Sequence, residues 1–265
     1  MGRILKTVPG FDQFNFEHHG ISHWVLKKGA QHQPGVVILQ ELPGMTPHTI
    51  ELAKRLNNDG FSVYLPILFG EPNSDFEPVK NLLKICVSRE FSILANRKSS
   101  AITDWLRALC RLIQKQCDDV PVGAIGMCFT GGFALTLMVD ESVAAPVTCQ
   151  PASLDGMLGR KARSSVGATE EDLASAFARA KKDDVQLLGM RFTHDITCPA
   201  ARFDYLQQQL GENFTRIDID SSLFNPHRIS IKSHSVLTLD FVDQPNHPTR
   251  QAYDQMVAFL RQRLV

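Results

Sequence analysis

The chain has no excess of either charge. Twenty-eight Lys and Arg balance 28 Asp and Glu over 265 residues. It therefore lacks the basic surplus that holds a phosphate backbone, and nucleic acid is not an expected partner. No apolar run approaches the ~20 residues of a membrane span, so no membrane association is expected. Residues 1–10 carry two basic side chains with no apolar stretch behind them, which argues against a signal peptide. Lys6 stands where an N-myristoylation pattern needs Ser or Thr. The six cysteines, at 86, 110, 117, 128, 149 and 198, form no C-x-x-C pair, so neither a zinc cage nor a thioredoxin motif is supported. Several sit in apolar segments, as reduced and buried thiols do, and the expected location is cytoplasmic. There is no internal repeat and no low-complexity tract.

What is present is an ordinary globular mixture, 43% hydrophobic and 21% charged. A domain of this length buries roughly 75% of its unfolded surface and needs no disulfide or metal to hold it together. Strand patterns alternate with helix patterns. The expectation is a single α/β domain over residues 1–265, with a mostly parallel central sheet and helices on both faces. Residues 14–27 read as an extended pair turning at Gly20. Val36-Val37-Ile38-Leu39 is a short continuous apolar run, as in a strand buried on both faces, and it stops at the turn-rich Gln40-Glu41-Leu42-Pro43-Gly44. A helix is expected from Pro47 to Asn58, a strand over 61–65, and a strongly amphipathic helix over 100–116. Strands follow at 122–127 and 144–148, with a helix over 133–139 between them. Residues 151–185 differ in composition and read as an insertion over the sheet edge, with a helix opened by Thr169-Glu170-Glu171-Asp172. Strands at 186–192 and 215–219 and a helix over 249–263 complete the pattern.

The sharpest local signal is Gly126-Met127-Cys128-Phe129-Thr130-Gly131-Gly132, between a buried strand and a helix. A nucleophile elbow puts a Ser or Cys on a tight turn at such a junction. Small neighbours let strand and helix approach, and the following helix N-terminus favours a thiolate. The amide of Phe129 would serve as one oxyanion donor. The elbow pattern has Gly two residues after the nucleophile, where this chain has Thr130; a buried Cys beside a tight turn is the competing reading.

A cysteine nucleophile needs a base, and the base an orienting carboxylate. In the α/β-hydrolase arrangement these follow in the order nucleophile, acid, histidine. Asp195 lies just past the strand at 186–192, and His234 lies in a polar loop after the strand at 215–219. His227 and His247 compete for the base, and Asp218 and Asp220 for the acid. Glu41 ends a buried strand, where a charge is costly unless paired or functional. In a doubly wound sheet its strand tip would lie beside the Cys128 turn, making the Leu42 amide a second oxyanion donor.

Together these residues resemble the dienelactone hydrolase family of α/β-hydrolases. The likeness rests on Val36–Gly44 (VVILQELPG), Gly123–Gly132 (GAIGMCFTGG) and Arg191–Arg202 (RFTHDITCPAAR), with His234-Ser235 as a weaker fourth block. The resemblance implies a hydrolase of esters or lactones acting through a thioester, with Cys128 as nucleophile, His234 as base and Asp195 as its orienter. It also implies that Glu41 contacts the resting thiol and helps generate the thiolate. By position, Arg89 would bind a substrate carboxylate, and Arg202 reads as structural. The expected ligand is a small-molecule ester or lactone, with no cofactor and no metal, in a monomer or small homo-oligomer. A non-catalytic member of the fold that binds a small ligand or a protein is the alternative, and a redox-sensing thiol a third.

Overall fold

Val36, Val37 and Ile38 are apolar at every position because the strand they form is covered on both faces. Val36 and Ile38 face one core while Val37 faces another, the period-two alternation of a strand. The computed structural model describes residues 7–42, 44–72, 101–152 and 164–265. Arg89 lies outside the described residues, as do Cys86 and much of the loop over 151–165.

The sheet has eight strands among the described residues: β1 (Asp12–His18), β2 (Ile21–Lys28), β3 (Gly35–Ile38), β4 (Ser62–Pro66), β5 (Val122–Met127), β6 (Val143–Cys149), β7 (Leu187–Phe192) and β8 (Phe214–Ile219). Their order is β1-β2-β4-β3-β5-β6-β7-β8. β1 and β2 form an antiparallel hairpin turned at His19-Gly20, and β2 pairs antiparallel with β4. From β4 to β8 every pairing is parallel, so the C-terminal ends of β3 and β5–β8 open on one edge.

Among the described residues, six helices connect and cover these strands: α1 (Pro47–Asn58), α2 (Ala101–Gln116), α3 (Gly131–Leu137), α4 (Glu170–Asp183), α5 (Ala200–Leu210) and α6 (Pro248–Leu264). Leu52 and Leu56 of α1 join Met256 and Leu260 of α6 on one face. Trp105, Leu106, Leu109 and Ile113 of α2 cover the other. All four α2 side chains are fully buried, worth roughly 1.5–3 kcal/mol each. Packing rather than helix propensity therefore holds α2 in place. A third cluster lies among α3, α4 and α5 through Leu135, Leu173, Phe177, Phe203 and Leu206.

Two expectations change. The helix after Cys128 starts at Gly131, because residues 128–130 wind as a 3₁₀ turn directly into it. The segment around α4 does not sit over a sheet edge. It is part of the crossover between the neighbouring strands β6 and β7, packed on α3 and α5, while the edges are β1 and β8. Asp172, in the first turn of α4, pairs at 2.8 Å with Arg107 of α2, both half-buried or less exposed, which fixes the helix to that face. Thr169 caps it as the sequence suggests, accepting a hydrogen bond from the Asp172 amide at 3.0 Å. From Asp220 to His247 the chain makes turns but neither helix nor strand.

Candidate active site

The parallel strands deliver their C-terminal loops to a single edge, where sites in such sheets form. At the end of β5 the chain turns sharply. Cys128 takes φ +53°, a left-handed conformation that non-glycine residues adopt only when the surroundings enforce it. The enforcement is local. A Cβ on Gly126 would fall 2.3 Å from the Thr130 carbonyl oxygen, and one on Gly132 would fall 2.3 Å from that of Val166. Only glycine at these two positions lets strand, turn and crossover approach this closely. The Ala152 amide donates to the Cys128 carbonyl at 2.9 Å.

Thr130 has a role of its own in this turn. Its hydroxyl accepts from the Met127 amide at 3.0 Å and lies within donating distance of the carbonyls of Met127 (3.0 Å) and Leu39 (3.3 Å). A glycine there would leave the buried Met127 amide without this acceptor. The departure from the usual elbow is thus compensated by hydrogen bonds that also tie the turn to the tip of β3. Cys128 is half-buried, whereas Cys110, Cys117, Cys149 and Cys198 are buried and their thiol pKa values are pushed up by that burial.

Asp195 follows β7 and is 5% exposed. One carboxylate oxygen accepts from the Thr197 amide (2.8 Å) and hydroxyl (2.7 Å), and the other meets His234 Nδ1 at 2.6 Å. The Thr197 hydroxyl also lies 2.9 Å from that nitrogen. With Nδ1 engaged, Nε2 is the ring nitrogen left to exchange a proton, and Cys128 lies close enough for its charge to act on the ring. Burial alone would lower the His234 pKa; the bond to Asp195 and the negative charges of Asp195 and Cys128 outweigh it and raise the pKa. Burial would likewise raise the Asp195 pKa, but the bonds from His234 and Thr197 leave it below the usual carboxylate range. His234 and Asp195 therefore meet from separate parts of the chain, with Cys128 close enough for its charge to act on the ring.

The competing residues are engaged elsewhere. Asp218 pairs with Arg191 at 3.1 Å and also with Arg216. Asp220 accepts from the Ser222 amide at 2.9 Å. His247 caps α6, and its ring packs against His227. Leu42 and Phe129, the expected oxyanion donors, both pack with Cys128 against the α2-side core, and the tip of β3 lies beside β5. Arg202 is fully buried and donates to the carbonyls of Thr197 (2.7 Å) and Pro151, a structural tie between the β6 and β7 loops.

Glu41 departs from its expectation. It is 4% exposed, and its carboxylate accepts from the hydroxyls of Thr238 and Ser235 (2.9 Å) and from the Gln150 amide (3.4 Å). Among the described residues its hydrogen bonds run to these three and not to Cys128. Burial raises its pKa against the opposing effect of those donors and of His234. Sequence reasoning also passed over Asp240, whose carboxylate accepts from the amides of His234 (2.8 Å) and Ser235 (2.9 Å). Its only signal was an acid six residues past a candidate histidine. Among the described residues, no group of three or more His, Cys, Asp or Glu side chains could hold a metal ion. No helix among them is long and apolar enough to cross a membrane.

Comparison with known proteins bears on the family and the fold. The sequence model of the dienelactone hydrolase family matches residues 22–219. None of the curated proteins matches the chain. Among solved structures, a candidate dienelactone hydrolase of Klebsiella pneumoniae subsp. pneumoniae superposes with a TM-score of 0.63 at 17% identity, over 95% of this chain and 99% of that one. A dienelactone hydrolase-like promiscuous phosphotriesterase from metagenomic libraries gives 0.61 at 14% identity, over 96% and 98%. A dienelactone hydrolase of Anabaena variabilis gives 0.59 at 14% identity, over 97% and 100%. At these identities the structures establish the α/β-hydrolase fold, and the match of the family model over most of the chain establishes that this protein belongs to the dienelactone hydrolase family.

Proposed function

We propose that this hydrolase cleaves a small-molecule ester or lactone through a thioester on Cys128. The observation that carries the reading is His234 held at 2.6 Å by the Asp195 carboxylate, with Cys128, on the strained turn after β5, close enough for its charge to act on the same ring. An imidazole oriented by a carboxylate can take the proton of a neighbouring thiol and leave the thiolate as the nucleophile.

Cys128 Sγ attacks the carbonyl carbon, and the carbonyl oxygen becomes an oxyanion. The amides of Phe129 and Leu42 hold it, each worth about 3 kcal/mol in the transition state. As the intermediate collapses, the bond to the alkoxide breaks and His234 Nε2 gives that oxygen its proton. Asp195 keeps the proton on Nδ1 throughout. Water then attacks the thioester while Nε2 takes its proton, and Cys128 leaves as thiolate, which completes one ester or lactone plus one water to acid and alcohol. Every step uses side chains and amides of this chain.

Turnover of small activated esters and of enol-lactones by wild type and Cys128→Ala tests the reading. Activity lost in the variant is the expected result; undiminished turnover contradicts it.

A further inference from the structure

The histidine is mounted on a segment, 220–247, with neither helix nor strand to stiffen it. A catalytic ring must nevertheless be held within about 0.5 Å of its working position. Something other than secondary structure therefore holds this loop. Asp240 closes it from within, accepting from the amides of His234 and Ser235. Arg55 of α1 donates to the Leu237 carbonyl at 2.7 Å. The deepest tie is Glu41. Its two oxygens receive Thr238 on one side and Ser235 and Gln150 on the other, across 194 to 197 residues of sequence for the two hydroxyls. Gln150 strengthens the same tie, because its side-chain oxygen accepts from the Val236 amide at 3.4 Å. It does so from a strained backbone, φ +34°, while fully buried.

Resting on the proposed thiol–imidazole pair, we infer that Glu41 is a positioning residue for His234: its carboxylate clamps Ser235 and Thr238 to the tips of β3 and β6 and so sets the ring against Cys128. This differs from the part the family resemblance implies, a direct contact between Glu41 and the resting thiol. Here the carboxylate is already occupied by three donors, none of them the thiol. The titratable groups whose charges act on Glu41, or on which its charge acts, are His234 and Cys149.

The two roles separate cleanly in the rate of Cys128 alkylation by iodoacetamide, followed from pH 5 to 10 by mass spectrometry of the peptide that carries it. The proteins compared are wild type, Glu41→Gln, the double variant Ser235→Ala/Thr238→Val, the three changes combined, and His234→Ala. If Glu41 acts through the loop, E41Q and the double variant raise the acid limb by the same amount. A one-unit rise lowers the rate about tenfold at any pH well below the limb. The combined variant then goes no further, and Thr238→Ser, which keeps the hydroxyl, restores the profile. A merely structural role would lower stability without moving the limb. The inference is overturned if E41Q moves the limb and S235A/T238V does not, which would mean direct action on the thiol, or if neither moves it. His234→Ala keeps this failure apart from a failure of the proposed function. A limb unmoved by H234A would overturn the thiol–imidazole pair itself, and the inference with it.

Discussion

Asp195→Asn changes one atom of the site and leaves its shape. In the native arrangement Oδ1 takes two hydrogen bonds from Thr197 and Oδ2 takes one from His234. The Thr197 amide can only donate, so asparagine must keep its carbonyl oxygen on that side. Its NH₂ then faces His234 Nδ1, which has to become an acceptor. The proton moves to Nε2, the atom that must take one from the thiol. Losing a hydrogen bond to a charged group costs about 1.5–3 kcal/mol, or roughly 10–150-fold in rate at about 1.4 kcal/mol per tenfold. Where a hydrolytic triad is locked in the wrong tautomer, the loss reaches about 10⁴. We expect kcat/KM of D195N on 4-nitrophenyl acetate to fall by about 10³ to 10⁴, with KM changed far less than kcat. A loss under about tenfold, smaller than even the bond alone predicts, would refute the reasoning.

Gly126→Ala would drive a methyl to 2.3 Å from a backbone oxygen that cannot move without the turn. Unfolding in urea should show a loss of about 1–3 kcal/mol, and an unchanged midpoint would deny the close approach. The stability that Asp195 contributes has a definite pH signature. Its folded pKa is depressed, so its contribution is present above the unfolded value of about 3.9 and is lost as pH falls through the folded one. The difference in urea stability between wild type and D195N should therefore hold steady between about pH 5 and 6, narrow below about pH 4, and narrow again above about pH 6.5, where the unfolded histidine loses the proton that the folded one keeps; a gap that widens below about pH 4 would reverse the sign assigned to Asp195.

The parts of this protein that could be read from its residues are those where one physical rule dominates. Val36–Ile38 and Val122–Met127 are apolar throughout because they are covered on both faces, and α1 begins at Pro47 and ends at Asn58 as its spacing predicts. The elbow was legible through glycines that close packing demands at 126 and 132. Helix α5 was missed although Pro199, Phe203, Leu206 and Leu210 carry helical spacing, because a buried Arg202 interrupts its apolar face. Gln150 and Thr238 were not legible at all, Asp240 only as an acid six residues past a candidate histidine, and Ser235 only as the neighbour of His234. Their importance lies in hydrogen bonds between segments 86 to 197 residues apart, or in a loop with no periodicity, and no local pattern reports such pairings. The burial of Glu41 could be read from its place at the end of an apolar strand, but which side chains satisfy it became visible only when the β3 tip and the histidine loop were brought together.

The central claim is that the Cys128 sulfur carries the acyl group between the two half-reactions. Mixing the protein with an activated ester, quenching in acid within the first turnover and weighing the peptides tests it directly. The account predicts an acyl mass on the peptide containing Cys128, formed at least as fast as steady-state turnover and lost at pH 7 when substrate is removed. Turnover with no adduct on that peptide, and with full activity surviving Cys128→Ala, would contradict it.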